Sequence, residues 1–138
     1  MKRLADLREH LLAAPLGLEA DTLLTFVDAG TVRRHVDGNS RSLSLTYTAN
    51  VIAEQFNGNP VTVALFLWDW LEEFQPGLAP DAVTFEADIL NTDAADIAFS
   101  VRMSETWAVE TVNDDHRLTL QPEPRIDTDS LTGFSEGT

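Results

Sequence analysis

Residues 43–76 read LSLTYTANVIAEQF, then NGNP, then VTVALFLWDWLEEFQP. In the first piece Leu43, Leu45, Tyr47, Ala49 and Val51 alternate with Ser44, Thr46, Thr48 and Asn50. A period of two is that of a strand with one face buried and one solvated, the usual state of an antiparallel sheet. Beyond Val51 the pattern changes, with Ile52 and Phe56 apolar on the other face. A twist, a bulge or a partner surface near Ala53 accounts equally well for the change. Asn59-Pro60 then opens a helix: Asn is a good N-cap, and proline suits the first helical position because its missing N–H has no partner there anyway. The helix runs Val61–Phe74 and is apolar almost all round, its polar stripe limited to Thr62, Asp69, Glu72 and Glu73. Such a helix is buried on more than one side. In so small a domain the sheet covers one side and a second element or subunit covers the next. Gln75-Pro76-Gly77 ends it.

Working outward, Leu4, Leu7, Leu11 and Leu12 recur at helical spacing before Pro15 and Gly17. Thr22–Ala29 reads as a short strand, with the turn at Gly30 or at Asp37-Gly38-Asn39-Ser40 and Arg33-Arg34-His35 on an edge or loop between them. After the apolar helix, Ala82–Leu90 and Ala95–Thr111 alternate as strands around an Asn91-Thr92-Asp93 hairpin link. A last short strand runs through Arg117–Leu120. The order α-β-β-α-β-β defines an α+β domain, an antiparallel sheet with helices packed on one face. Its 138 residues, 43% of them apolar, fit one core, which we place at residues 1–121. Residues 122–138, rich in polar residues, Pro, Gly and Ser, read as a flexible tail.

The formal charge of -14 excludes a phosphate-backbone binder or an anionic-membrane binder, both of which need clustered bases. The charge is also unevenly distributed. Residues 1–41 hold six acids and six bases, whereas Ser42–Val101 holds nine acids and neither Lys nor Arg. Such polarity suits a head-to-tail contact between identical subunits, acidic face against arginine-bearing face, although solubility alone also explains it. Cysteine is absent, so disulfides and thiolate metal sites are excluded. Asp6, Arg8, Glu9 and His10 interrupt the N-terminal apolar residues, which reads as an amphipathic helix and not a signal peptide. No run approaches the ~18 apolar residues of a membrane span. A soluble protein made in the cytoplasm is expected.

Catalytic groupings are hard to find. His10, His35 and His116 share no ligand spacing, and Asp88, Asp93 and Asp96 lack the pattern of a calcium loop. A nucleophile elbow and a Gly-rich phosphate loop are both missing. The expectation is a protein that is not an enzyme and carries no cofactor or metal. Glu105 interrupts an otherwise apolar strand face. A charge there is paired with an arginine or lies at an interface, unless the strand has simply reached the sheet's rim. Trp68 and Trp70, two apart on a helix, cannot share a face. One belongs to the core, and the other is a candidate for packing against a neighbouring subunit.

Taken in order, these segments resemble the tail completion protein R (GpR) family of contractile-tailed phages of the P-two type and their prophages. The resemblance rests on the Leu-rich helix ending at Pro15, on TLLTFVDAG at 22–30 and on SLSLTYTANV at 42–51. It continues through the NGN turn, the tryptophan helix ending in Trp70-Leu71 and Gln75-Pro76, FEADILN at 85–91, Ala95-Asp96-Ile97 and the Ser104-Glu105-Thr106 region. It spans roughly residues 4–112. Where the family shows a Leu-Thr-Glu-Arg run, this chain keeps the glutamate but has Trp107 in place of the arginine. A family-like Glu–Arg pairing would then need Arg102 or Arg33.

The resemblance implies a tail-terminator-like α+β fold and a structural role in virion assembly. The protein would cap the head-proximal end of the tail as a homo-hexameric ring and prepare it for head joining. Its partners would be tail tube and sheath proteins and the head–tail connector, with assembly in the host bacterial cytoplasm. The interface candidates are Phe66, Trp68, Trp70, Glu105, Trp107, Arg33, Arg34 and Arg102. Two readings from other classes stand beside this one. An acidic inhibitor or DNA mimic would bind a nucleic-acid enzyme, but the dispersed acids and the large apolar helix count against it. A small hydrolase or metal enzyme would need a polar cleft with convergent carboxylates.

Overall fold

A computed structural model describes residues 1–123. The element order is α1 (Lys2–Ala13), β1 (Leu23–Asp37), β2 (Ser40–Phe56), α2 (Pro60–Phe74), β3 (Thr84–Ile89), β4 (Ala95–Val112) and β5 (Asp115–Gln121). The strands form one curled antiparallel sheet in the order β1-β2-β4-β3, with β5 also paired to β4. Two helices and an antiparallel sheet make this an α+β fold, as the order of elements predicts. The tail expected past Pro122 lies outside the described residues from 124 onward.

Binary patterning sets the two layers. Tyr47, Ala49, Val51 and Ala53 of β2 and Ile97, Phe99, Val101 and Met103 of β4 are buried and face the helices. Leu4, Leu7 and Leu11 of α1 and Val63, Leu67, Trp70 and Leu71 of α2 close the core from the other side. Each fully buried leucine or valine contributes roughly 1.5–3 kcal/mol relative to exposure, and this burial holds the layers together. α2 starts where its cap chemistry dictates: Asn59 Oδ1 accepts the N–H of Val61 at 3.0 Å, with Pro60 at the first turn. Near Ala53 the change of pattern is a bulge, since the β2–β4 register shifts between Ala53 and Phe56 and Gln55 has φ 51°.

β1 differs from its expected extent. Residues 23–37 form a single strand, not a strand stopping at Ala29, and the turn falls at Gly38-Asn39. Gly30 lies within the strand, at a register shift in the β1–β2 pairing. Arg33-Arg34-His35 therefore belongs to a regular edge strand. The hairpin projects beyond the helices, and there β5 takes the place beside β4 that β3 occupies nearer the core.

The predicted alternation of β3 is correct in direction but does not lead to burial. Phe85, Ala87 and Ile89 pair with Phe99, Ile97 and Ala95 and so face the helix side. The two-helix layer stops short of this edge, leaving Phe85 66% and Ile89 71% exposed.

Candidate assembly surface

Most polar groups inside the fold are hydrogen-bonded, Arg3 Nε and Glu123 Oε2 being buried without a hydrogen-bond partner among the described residues. Glu105 is 1% exposed. Its Oε2 accepts the Tyr47 hydroxyl at 2.6 Å and the backbone N–H of Arg3 at 2.9 Å, and its Oε1 accepts the indole N–H of Trp107 at 3.2 Å. The first turn of α1 has no side-chain cap of its own, so a carboxylate from β4 satisfies one of its orphan donors and complements the helix dipole. Burial, and then the hydrogen bond to Glu105, push the Tyr47 hydroxyl well above its ordinary value. Arg3 lies beside the same site, 5.2 Å over the ring of Phe74, and donates to the carbonyl of Gln121 at 3.3 Å.

This arrangement corrects the expectations for Glu105. It lies neither at the sheet's rim nor at a surface, and neither Arg102 nor Arg33 reaches it. Arg102 is exposed and donates to Thr48 Oγ1 at 3.4 Å. Trp107 provides the N–H donor on the same strand face as Glu105.

Gln75, read from sequence only as a helix stop, bridges the interval on β4 between β3 and β5. Its Oε1 accepts the Ser104 N–H at 2.8 Å, and its Nε2 donates to the Ser104 carbonyl at 2.9 Å, like a one-residue strand. A polar residue between an apolar helix and Pro-Gly is the only sequence signal it gave. The other tightly held polar groups lie on the open face, where Asn50 donates to Asp28 at 2.9 Å and accepts from Ser100 at 2.7 Å.

Among the described residues, no three His, Cys, Asp or Glu side chains converge as a metal site. The described clefts are open surface depressions, including an apolar groove of about 410 Å³ between the start of α2 and β3, lined by Phe56, Pro60, Phe85 and Ile89. No described helix is long and apolar enough to cross a membrane.

The sequence-derived interface candidates divide by position. Trp70 and Glu105 are inside the chain and are not available as contact surface. Trp70 is the core tryptophan, and Trp68 is half-buried at the edge of the core. Phe66 is half-buried against α1, its carbonyl 2.9 Å from His10 Nε2. Trp107 is half-buried, while Arg33, Arg34 and Arg102 are exposed. Among the described residues, Arg33 and Arg34 are the basic side chains with neither a hydrogen bond nor an ion pair. The others are engaged: Lys2 with Asp6, Arg8 with the carbonyls of Leu23 and Ala20, Arg41 with Thr111 and Arg117 with Glu110.

Among the described residues the exposed large apolar side chains include those on β1 and β3, Leu118 of β5, and Val61 and Leu65 of α2. The sequence profile of the family described as P2 phage tail completion protein R (GpR) matches residues 1–124, and the chain belongs to that family. It is 32% identical over 99 residues to the tail completion protein R of Escherichia phage P2, a match covering 67% of this chain and 63% of that relative. The chain thus spans less than two thirds of the curated relative's length. No solved structure gives a significant match. The family is one of phage tail completion proteins. The family is a structural one and not a family of enzymes.

Proposed function

We propose that this chain caps the head-proximal end of the tail as a homo-hexameric ring and readies it for joining to the head. The observation that carries the reading is membership of the tail completion family over nearly the whole described chain. In this role a ring seated on the last tube ring stops polymerisation and offers its free side to the head–tail connector. Residues 1–121 form the ring domain. Trp68, Trp107, Arg33, Arg34 and Arg102 are the exposed or half-buried side chains available for contacts with tube, sheath or a neighbouring subunit. Two features support an assembly surface: Glu86 and Asp88 on one sheet edge and Arg33 and Arg34 on the opposite edge form no ion pair among the described residues, and Phe85 and Ile89 on β3 are mostly exposed. The ring assembles in the host bacterial cytoplasm.

Electron microscopy of particles from a phage lacking this chain tests the proposal. Overlong tails or tails without heads are the expected result. Normal-length tails joined to heads would overturn it.

A further inference from the structure

β1 and β3 are the two opposite edges of the sheet, and among the described residues neither has a partner on its outer side. Unpaired edges are sites of strand addition unless something blunts them. Neither edge is short, buried or covered here. All six residues of β3 are exposed, as is β1 from Asp28 to Asp37.

The two edges differ in charge, β3 bearing acids alone and the outer half of β1 bearing more bases than acids. On the face away from the helices, β3 carries Glu86 and Asp88, and the outer half of β1 carries Arg33 and His35, with Asp37 at its end. Glu86, Asp88 and Arg33 form no ion pair among the described residues, and His35 touches Ser44 Oγ at 3.1 Å. On the helix face, β3 carries Phe85, Ala87 and Ile89, while β1 carries Arg34 between Val32 and Val36, which are 66% and 54% exposed. Two copies of β3 would set anions against anions, whereas the acids of β3 are complementary to Arg33 and His35 of β1.

We propose that β3 of one copy adds to the outer half of β1 of the next, making a continuous intersubunit sheet. This rests on the ring reading above and names its contact. Neighbouring strands alternate in direction along β1-β2-β4-β3, so β3 and β1 run oppositely. Copies placed side by side with their helices on the same face therefore meet antiparallel. Asp88 lies opposite Arg33, Glu86 opposite His35, Ile89 opposite Val32 and Phe85 opposite Val36. In this register acid meets base on the open side, and on the helix side the apolar pairs Ile89–Val32 and Phe85–Val36 flank Ala87 opposite Arg34, while Thr84 falls opposite Asp37. The contact is head-to-tail, so it does not close as a two-fold dimer, and it generates a ring when the rotation between copies closes. β5 is the other free edge, but it flanks β4 on the same side as β3, and its Arg117 is already engaged with Glu110 at 3.7 Å.

The chain has no cysteine, so thiol cross-linking is clean. Full-length D88C and R33C chains are mixed with the phage's tail tubes and treated with a short thiol-reactive cross-linker, with an R117C chain replacing R33C as control. The expected result is rings on the tubes and an adduct between D88C and R33C at least tenfold above that of D88C with R117C or of either chain alone. Rings without that adduct, or with homotypic adducts, overturn the pairing and leave the ring standing. Absence of rings from tubes bearing the unsubstituted chain overturns both. In a second arm, reversing Glu86 and Asp88 to Arg abolishes ring formation, and adding Arg33→Glu in the same chain restores it. Rings that survive the reversal overturn the pairing.

Discussion

The Glu105 carboxylate lies 2.9 Å from the backbone N–H of Arg3, joining the middle of β4 to the first turn of α1 across 102 positions of sequence. The same carboxylate holds Tyr47 and Trp107, so one acceptor group fastens helix to sheet. Glu105→Ala leaves three donors without their acceptor inside the fold. We expect a loss of about 3 kcal/mol or more, read by denaturant unfolding, since each orphaned buried group costs about 1–3 kcal/mol. Glu105→Gln keeps an acceptor oxygen but points amide hydrogens at donors, and it should lose about half as much.

Tyr47 predicts an alkaline limit. Its hydroxyl is held above the ordinary value of 10.0, first by burial and then by Glu105. The folded chain therefore keeps the proton more tightly than the unfolded chain. The corresponding stability is whole below about pH 10 and is lost as pH rises above it. Because this is the sole tyrosine, tyrosinate absorbance reports it alone. That absorbance should grow together with unfolding, followed by circular dichroism. Tyrosinate appearing in the folded protein near pH 10 would contradict the arrangement. Tyr47→Phe should flatten this pH slope.

Gln75→Leu should remove both bonds to the Ser104 backbone. The expected cost is roughly 1–3 kcal/mol. Hydrogen exchange should localise it, with the Ser104 amide faster and the amides of the β3–β4 ladder little changed.

The two tryptophans should separate sharply. Trp70 is 3% exposed, and Trp70→Ala should cost about 3–5 kcal/mol. Trp68→Ala should cost less than half of that, leaving a folded chain that complements a deletion phage poorly if Trp68 meets a partner. Thermal melts and plaque counts distinguish stability from assembly.

Gly30 has no room for a side chain. A Cβ there would lie 2.7 Å from the Thr46 carbonyl oxygen and 2.9 Å from Tyr47 Cβ. Neither atom is the yielding end of a long side chain. Gly30→Ala should destabilise by about 1–3 kcal/mol and loosen the outer half of β1. Amide exchange from Thr31 to Asp37 would show it.

Sequence alone determined the local pieces, because their causes are local. The alternation in Leu43–Val51 specified the faces of β2, and Asn59-Pro60 specified the start of α2. The spacing of Leu4, Leu7 and Leu11 specified the buried stripe of α1. Segment order was enough to place the chain in its family. What sequence left open was every relationship set by distant chain. Gly30 read as a possible turn, because a glycine signals equally a turn and a bulge until its partner strand is known. Glu105 read as an arginine-paired, interface or rim charge, because its donors come from positions 3, 47 and 107 and only the packed fold brings them together. Phe85 and Ile89 read like core residues. A strand's alternation states which way a side chain points, but whether anything covers it depends on how far the helix layer extends. Tertiary structure decided that two helices leave this edge bare, and that its acids share a face with Arg33 at the opposite edge of the sheet.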